Sequence, residues 1–496
     1  MNKSSMGMFG EFKKLLGHSM IYGVGAVIVK AISFIMIPIY TRYLSAKEYG
    51  VIEILDATIS IISTVLTAGF GAAISKYYFY YKDENDKNQV ISSALIFNLL
   101  IGIIGSLVLC CFSTYFSMAI FHTKEYTYCF QLMFATLFFE VCFCTPFSYL
   151  RIKEASFLYI IIMILRVILG LGLNIYFIVF LHLGIYGIFY SGLIVLLLSS
   201  IYLVYYTIKN AGIIFSFQKL KELLAFGWPL IPSNLGLYAL NYSDRFFLSH
   251  FCSLSKVGIF ALGCRFGSIL SMLVGQPFTL IWIAFRFEIA DREDVKEIYA
   301  RVLTYLEFVL IFLALGLSLI IKDVISVVVG KAFFEAYKVV PLIAISSLFF
   351  EANSLFRIGI YLEKKTTWVP LTVWVPILLT LLLNWFVIPR YDVMGAGAIK
   401  IFAYFSMATI TYFVAQKFYP IPYEFGRILK MIFVAVLIYL ISFLLPSTSF
   451  CVSIMLKSLL TMTFPVLLHL FNFYDQKEKE KIKELYLWCK KRLYAK

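Results

Sequence analysis

Charged residues make up only 14% of this 496-residue sequence, whereas 61% of its residues are apolar and the mean hydropathy is +0.88. Soluble proteins of ordinary composition carry about 25% charged and roughly 45–50% apolar residues. A water-soluble fold could not bury so much apolar surface, so the composition excludes a soluble globular enzyme. Because one bilayer span needs about 20 mostly apolar residues, the sequence predicts an all-α polytopic membrane protein.

The sequence also lacks the short motifs that mark catalytic and metal sites in soluble proteins. Its cysteines form no CxxC pair, its histidines form no HExxH, and no GxxxxGK[ST] phosphate-binding loop is present. We therefore expect no metal, no cofactor, no nucleotide-driven step and no enzymatic activity. The net charge of +15 is typical of membrane proteins whose basic loops meet anionic lipid, and it does not indicate a nucleic-acid partner.

Apolar runs separated by charged or proline- and glycine-rich breaks predict about fourteen transmembrane helices. Their ranges are 18–42, 50–75, 90–121, 126–150, 155–181, 184–207, 224–248, 257–285, 301–321, 339–361, 367–389, 393–417, 428–446 and 450–473. With a cytoplasmic N-terminus, most Lys and Arg residues fall in cytoplasmic segments, so both termini are predicted to be cytoplasmic. Arg245 is one of the fewer basic residues that this assignment places in outer loops.

A short repeat divides the chain into two halves. Ser45 and Gly50 follow the first span, and Ser253 and Gly258 follow the seventh, at an offset of 208 residues. Six predicted helices separate the copies, and an even number preserves orientation, so the halves are predicted to be parallel repeats about an axis along the membrane normal. The predicted domains are a six-helix lobe at 1–211, a second at 212–422, and helices 13 and 14 with a basic amphipathic cytoplasmic tail at 423–496.

Ionisable side chains recur inside the predicted spans. Each costs about 2.5–3.5 kcal/mol near the bilayer centre on insertion scales, so each needs a functional or structural reason. Four cations are predicted to line a water-filled cavity between the lobes and to bind an anionic substrate group such as a pyrophosphate: Lys30, Arg166, Arg265 and Lys400. Five carboxylates are candidates for ion coupling: Glu53, Asp56, Glu140, Glu307 and Glu351. The alternative is that these charges pair off as structural salt bridges between helices.

Several stretches, taken in order, resemble a known family. They are Ile37-Pro-Ile-Tyr-Thr-Arg-Tyr-Leu44, Phe226-Gly-Trp-Pro-Leu-Ile-Pro232, Asp244-Arg-Phe-Phe-Leu248 and Tyr419-Pro-Ile-Pro-Tyr-Glu424. Together they resemble the bacterial polysaccharide-biosynthesis flippases of O-antigen type, which belong to the multidrug/oligosaccharidyl-lipid/polysaccharide (MOP) exporter superfamily. The resemblance covers nearly the whole chain.

The resemblance implies two MATE-like six-helix lobes around an alternating-access cavity in the bacterial cytoplasmic membrane. It implies that the substrate is an undecaprenyl-pyrophosphate-linked oligosaccharide, moved from the inner to the outer leaflet for the assembly of O-antigen, capsule or exopolysaccharide. Membrane lipids, a polysaccharide polymerase and a chain-length regulator are the implied partners. Two alternatives stay open: an ion-coupled multidrug exporter of the same superfamily, and a membrane-embedded glycan polymerase or glycosyltransferase.

Overall fold

The computed structural model describes residues 34–446, 448–476, 478–480 and 484, and in this part of the chain the regular structure is helical, without strands. The first predicted span, 18–42, is described only at its end, where residues 34–43 form helix α1. Lys30 and most of the predicted basic tail lie outside the described residues.

The helices follow one another with short connections. The first half of the described chain contains α2 (Ala46–Leu66), α3 (Phe70–Tyr80), α4 (Glu84–Cys111), α5 (Ser113–Phe121), α6 (Thr127–Ile152), α7 (Ser156–Ile175), α8 (Ile185–Ala211) and α9 (Phe217–Gly227). The second half contains α10 (Leu230–Phe251), α11 (Leu254–Gly267), α12 (Gln276–Glu288), α13 (Val295–Val328), α14 (Val340–Phe356), α15 (Ile358–Leu362), α16 (Val369–Phe418), α17 (Phe425–Ser442) and α18 (Phe450–Leu470). Short π-helical turns, Tyr176–Phe180 and Ser271–Gly275, extend α7 and join α11 to α12.

The multi-pass membrane architecture is confirmed. Among the described residues, 11 helical stretches are long and apolar enough to cross a membrane, and a twelfth is added if α9 and α10, which meet at 43°, form one span. The stretch Thr366–Phe418 has 53 residues, about 80 Å of helix, which is long enough for two crossings of a ~30 Å core. Its backbone breaks at Asp392, within the gap predicted between spans 11 and 12. The count of fourteen stays a prediction.

The repeated sequence marks two equivalent helix starts. Ser45 caps α2 by accepting a hydrogen bond from the Glu48 backbone N–H at 3.2 Å, and Glu48 accepts one from the Ser45 N–H in return. Ser253 caps α11 in the same way, accepting from the Lys256 backbone N–H at 3.3 Å. Such caps satisfy backbone donors that the first turn leaves without partners, which explains why serine stands at both positions.

The two equivalent helices cross at the two repeated glycines. A methyl group on Gly50 would lie 1.9 Å from the Leu254 carbonyl oxygen, and one on Gly258 would lie 2.2 Å from the Ala46 carbonyl oxygen. Leu254 is 208 residues beyond Ala46, as Gly258 is beyond Gly50, so the two contacts exchange under the repeat. Only glycine permits this approach of the two backbones.

The helices form two groups that meet mainly through α2. In the first group α4 and α8 pack on α6, and in the second α14 and α10 pack on α16, while α2 packs against both α10 and α11. Further contacts between the groups lie near this crossing: the Gly330 N–H donates to Thr41 Oγ1, and the rings of His122 and His250 are 5.9 Å apart. The groups are therefore closed against each other at the end that carries these loops. The exact domain boundaries stay a prediction.

The last two helices pack against α13 at the side of the second group. An ionic cluster fastens them there, in which Arg427 of α17 donates two hydrogen bonds to the Glu478 carboxylate at 2.8 and 2.9 Å. Tyr305 of α13 donates to the same carboxylate at 2.7 Å. The segment that follows α18 is thus held to both α13 and α17.

Candidate functional site

A polar cavity of about 390 Å³ lies where α2 faces α10, α11, α14 and α16. Its polar lining consists of Glu53, Asp56, Asn241, Tyr242, Arg245, Arg265, Ser268, Ser271, Ser346, Ser347, Lys400 and Tyr404. Intramembrane ionisable residues face a bundle interior or a water-filled space and mark substrate or ion pathways. This cavity, placed between the two helix groups, is therefore the candidate functional site.

Glu53 of α2 joins the two groups by ion pairs. Its carboxylate accepts a hydrogen bond from Arg265 Nη2 at 2.8 Å and one from Arg245 Nε at 3.3 Å. Glu53 is 7% exposed, so its carboxylate is largely shielded from water, and the loss of either arginine would leave it with the other one as its partner.

A second ion-pair chain lies behind the first. Asp244 accepts a hydrogen bond from Arg245 Nη1 at 3.0 Å and pairs with Lys400 Nζ at 2.5 Å. The Lys400 ammonium also donates to the carbonyl oxygens of Leu240 and Asn241, at 3.0 and 2.9 Å. Its three donors are therefore used within the protein, and Lys400 fixes α16 against α10.

Arg265 is the cation of this network that is most open to the cavity. Its side chain is 38% exposed, against 8% for those of Arg245, Lys400 and Glu53. Among the described residues its guanidinium makes one protein hydrogen bond, through Nη2 to Glu53. The remaining N–H donors are available to an anion, and a guanidinium fits phosphate oxygens in a two-point arrangement.

Asp56 lies one helical turn from Glu53, on the same side of α2. It lines the cavity and is exposed there, and no basic side chain of the described residues lies within 4 Å of its carboxylate. The cavity wall thus carries three cations and two carboxylates, and of these two carboxylates that of Asp56 makes no direct ion pair with a described residue.

The structure brings together some of the predicted site residues and separates others. Arg265, Lys400, Glu53 and Asp56 share the cavity, whereas Arg166 lies in a separate, mainly apolar pocket between α7 and α8. Lys30 lies outside the described residues.

Three predicted carboxylates lie away from the cavity lining. Glu140 of α6 accepts a hydrogen bond from the Ser63 hydroxyl at 3.2 Å. Glu307 of α13 and Glu351 of α14 are buried within the second group, and Glu307 borders a mainly apolar pocket between α13, α14, α16 and α17. The described residues contain no cluster of three or more His, Cys, Asp or Glu side chains that could hold a metal ion.

The assignment of Arg245 to an outer loop is wrong, since the residue is 7% exposed and pairs with both Glu53 and Asp244. Sequence reasoning also missed Asp244 as a site residue. The sequence did contain a signal: Asp244 and Arg245 are adjacent opposite charges inside an apolar run, one turn after Asn241. Neighbouring opposite charges in a predicted span indicate that both side chains are buried against other helices.

Comparisons with known proteins agree with this architecture. A sequence model described as polysaccharide biosynthesis protein matches residues 15–284. An uncharacterized membrane protein of Haemophilus influenzae is 23% identical over 268 residues, 52% of this chain, and the match spans 62% of that protein's length.

Two solved structures share the fold. The lipid II flippase MurJ in an inward closed conformation has a TM-score of 0.74 at 14% identity, covering 92% of this chain and 100% of that one. An inward-facing multidrug resistance MATE transporter of the MOP superfamily has a TM-score of 0.66 at 13% identity, covering 81% and 97%. These likenesses confirm the all-α, MATE-like fold.

Proposed function

The chain belongs to the polysaccharide biosynthesis protein family, and from that membership we propose that it is a flippase for an undecaprenyl-pyrophosphate-linked oligosaccharide. It moves this substrate from the inner to the outer leaflet of the bacterial cytoplasmic membrane for O-antigen, capsule or exopolysaccharide assembly. The observation that carries the proposal is the polar cavity between the two helix groups, with Arg265 open to it. The likeness in fold to a structure named as a lipid II flippase supports the same proposal.

The chemistry of the substrate suits this cavity. A sugar pyrophosphate cannot enter hydrocarbon without a large desolvation cost, but it can cross a wet compartment in which cations replace part of its hydration shell. Arg265 is the residue proposed to meet the phosphates first. Arg245 and Lys400 hold Glu53 and Asp244 and set the electrostatic field around the site, and Lys30, which lies outside the described residues, is proposed to contribute to the same binding.

The ion pair between Arg265 and Glu53 gives binding a conformational consequence. Glu53 belongs to α2 and Arg265 to α11. A phosphate that binds the Arg265 guanidinium therefore competes with Glu53 and weakens one of the ion pairs between the two helix groups. We propose that this exchange helps the closed end to open. Asp56, Glu140, Glu307 and Glu351 are proposed as the groups through which an ion gradient could bias the cycle.

A multidrug exporter is the second candidate, and one observation favours it. The Asp56 carboxylate faces the cavity without a basic side chain beside it among the described residues, which would suit a cationic cargo. The two candidates differ in the sign of the cargo's charge, so they predict opposite effects of neutralising Arg265 and Asp56.

Reconstitution into liposomes tests the proposal. Purified protein is incorporated with a short-chain polyprenyl-pyrophosphate oligosaccharide, and the arrival of the glycan in the outer leaflet is followed with an added glycosidase that cannot cross the membrane. We expect protein-dependent transfer that Arg265→Ala abolishes and Asp56→Asn does not. Transfer of a cationic dye, blocked by Asp56→Asn and indifferent to Arg265→Ala, would favour the drug exporter.

A further inference from the structure

A second pocket, of about 350 Å³, lies between α7 and α8 of the first helix group. Its lining is Leu158, Ile161, Ile162, Leu165, Arg166, Leu169, Val195, Leu198, Ser199 and Tyr202. Leu165 and Leu198 are each 51% exposed, as expected of side chains that face lipid. The pocket therefore shares no lining residue with the central cavity and has an exposed apolar side.

Arg166 is the single charged residue in this lining. Its guanidinium lies over the Phe143 ring, 4.3 Å from the ring centre, and no carboxylate of the described residues comes within 4 Å of it. The neighbouring acidic side chain, Glu140, accepts its hydrogen bond from Ser63 instead. A cation in apolar surroundings is costly unless an anion accompanies it, so an anion bound in the pocket would give Arg166 the direct partner that it lacks among the described residues.

Arg166 lies about halfway through the membrane-crossing part of α7, and its side chain leans toward one membrane surface. The residue follows Ser156, the first residue of the helix, by ten positions, or about 15 Å of rise. Side chains on a helix lean toward its N-terminus, and a long basic side chain extends its head group toward the interface. Leu158 and Tyr202 continue the pocket in that direction, so an elongated molecule could run from the interface to Arg166.

We propose that this pocket binds one anionic phospholipid, with its phosphate on Arg166 and an acyl chain in the groove between α7 and α8. The apolar lining accounts for the chain, and the unpaired guanidinium accounts for selectivity toward a negatively charged head group. Ser199 and Tyr202 supply hydroxyl groups in the same lining. The site is separate from the central cavity and does not depend on the flippase proposal.

Native mass spectrometry of the purified, delipidated protein tests the site directly. The protein is mixed with phosphatidylglycerol or phosphatidylcholine of identical acyl chains, and the retained lipid is counted as the detergent is stripped. We expect retention of one phosphatidylglycerol in preference to phosphatidylcholine. Arg166→Gln should weaken phosphatidylglycerol retention about tenfold, because one charge-assisted interaction is lost, and Arg166→Lys should restore part of it.

A pair of tryptophan substitutions separates the pocket from the lipid-facing surface in general. Leu198→Trp fills the groove and leaves Arg166 in place, whereas Leu378→Trp adds the same bulk on α16, at a side chain that is 62% exposed. We expect the first to abolish selective retention and the second to leave it unchanged. This pair also keeps the test decisive if Arg166→Gln fails to fold.

Three results would overturn the proposal. They are equal retention of the two lipids by the parental protein, unchanged selectivity in both Arg166→Gln and Leu198→Trp, and release of bound phosphatidylglycerol by millimolar inorganic phosphate. The last result would identify an ion site that takes free phosphate, because a lipid held by its acyl chain is not displaced by the anion alone.

Discussion

Gly50 of α2 and Gly258 of α11 pack against each other's helix backbone in a contact that is the same from either side. The carbonyl oxygen that approaches Gly50 belongs to Leu254, and the one that approaches Gly258 belongs to Ala46. Because both pairs are related by the same offset of 208 residues, this is the contact that a twofold axis between the lobes would produce. We propose that the axis passes through this crossing and that the crossing closes one end of the cavity.

Enlarging either glycine at the crossing should open that end. Gly50→Ala and Gly258→Ala each place a methyl group within 2.2 Å of a backbone oxygen, and overpacking of this kind costs about 1–3 kcal/mol. We expect a cysteine at Ser346, in the cavity wall, to react faster with a label added from the outer side. Gly192→Ala on α8 is the matched control, since no atom lies within 4 Å of the added methyl group. An unchanged labelling rate in both crossing variants would contradict this role.

The pair formed by Asp244 and Lys400 should behave as a buried ion pair. Lys400→Met removes the ammonium and leaves the Asp244 carboxylate with Arg245 alone, so we expect a loss of about 3 kcal/mol, visible as a lower melting temperature in detergent. Adding Asp244→Asn to this variant removes the carboxylate that has lost its ammonium partner and should restore part of the loss. A double variant less stable than Lys400→Met would show that Asp244 is held mainly by Arg245.

The ionic cluster at Glu478 should make the attachment of the last helices depend on pH. Burial raises the pKa of the Glu478 carboxyl, but the hydrogen bonds from Tyr305 and Arg427 outweigh burial and hold this pKa below its usual range. A lowered pKa in the folded state stabilises the protein above the unfolded value of about 4.3, and the contribution is lost as the pH falls through the folded value.

Glu478→Gln should therefore lower the melting temperature at pH 7 and have a smaller effect near pH 4. The loss at pH 7 should be about 2 kcal/mol, as for a hydrogen-bonded charge pair. Thermal unfolding in detergent at both values, with Glu480→Gln as the control in the same segment, measures it. A difference between Glu478→Gln and the parental protein that grows toward pH 4 would contradict the assignment.

Cysteine labelling in intact cells should confirm the orientation of the chain. In a variant without its native cysteines, Lys124→Cys is expected to react with an added membrane-impermeant maleimide, and Glu84→Cys is expected to react only after lysis. Both residues lie in or beside short connections between helices. The reason is the excess of Lys and Arg in the segments assigned to the cytoplasm. Labelling of Glu84→Cys in intact cells would contradict the predicted topology.

Sequence alone predicted the architecture well because its signals are strong and local. Apolar runs of span length allow few other structures, and the repeat at Ser45 and Ser253 marked the two equivalent boundaries between successive helices. The family resemblance is confirmed by the match over residues 15–284. The breaks within spans, such as the π-helical turn at Ser271–Gly275, left no comparable pattern.

The composition of the cavity was predicted only in part, since depth along a helix does not fix the face on which a side chain lies. Arg166 and Arg265 were both predicted to line the cavity, but successive helical residues turn by about 100°, and Arg166 lines the pocket between α7 and α8. Conversely, Arg245 lies near the end of a predicted span and still reaches Glu53, because α2 and α10 pack directly together. Ion pairs of this kind depend on which helices pack together, and a single sequence does not reveal which helices are neighbours.

The role of Arg265 in carrying the substrate phosphates is the central claim, and one paired measurement tests it most directly. Glycan export and protein abundance are measured together in cells whose only copy of the protein carries Arg265→Lys or Arg265→Ala. The control is Lys457→Gln, which breaks an ion pair with Asp323 away from the cavity. We expect Arg265→Ala to abolish export at parental abundance, Arg265→Lys to retain part of it because the charge survives, and Lys457→Gln to export normally per molecule. Export at the parental rate by an abundant Arg265→Ala protein would contradict the account.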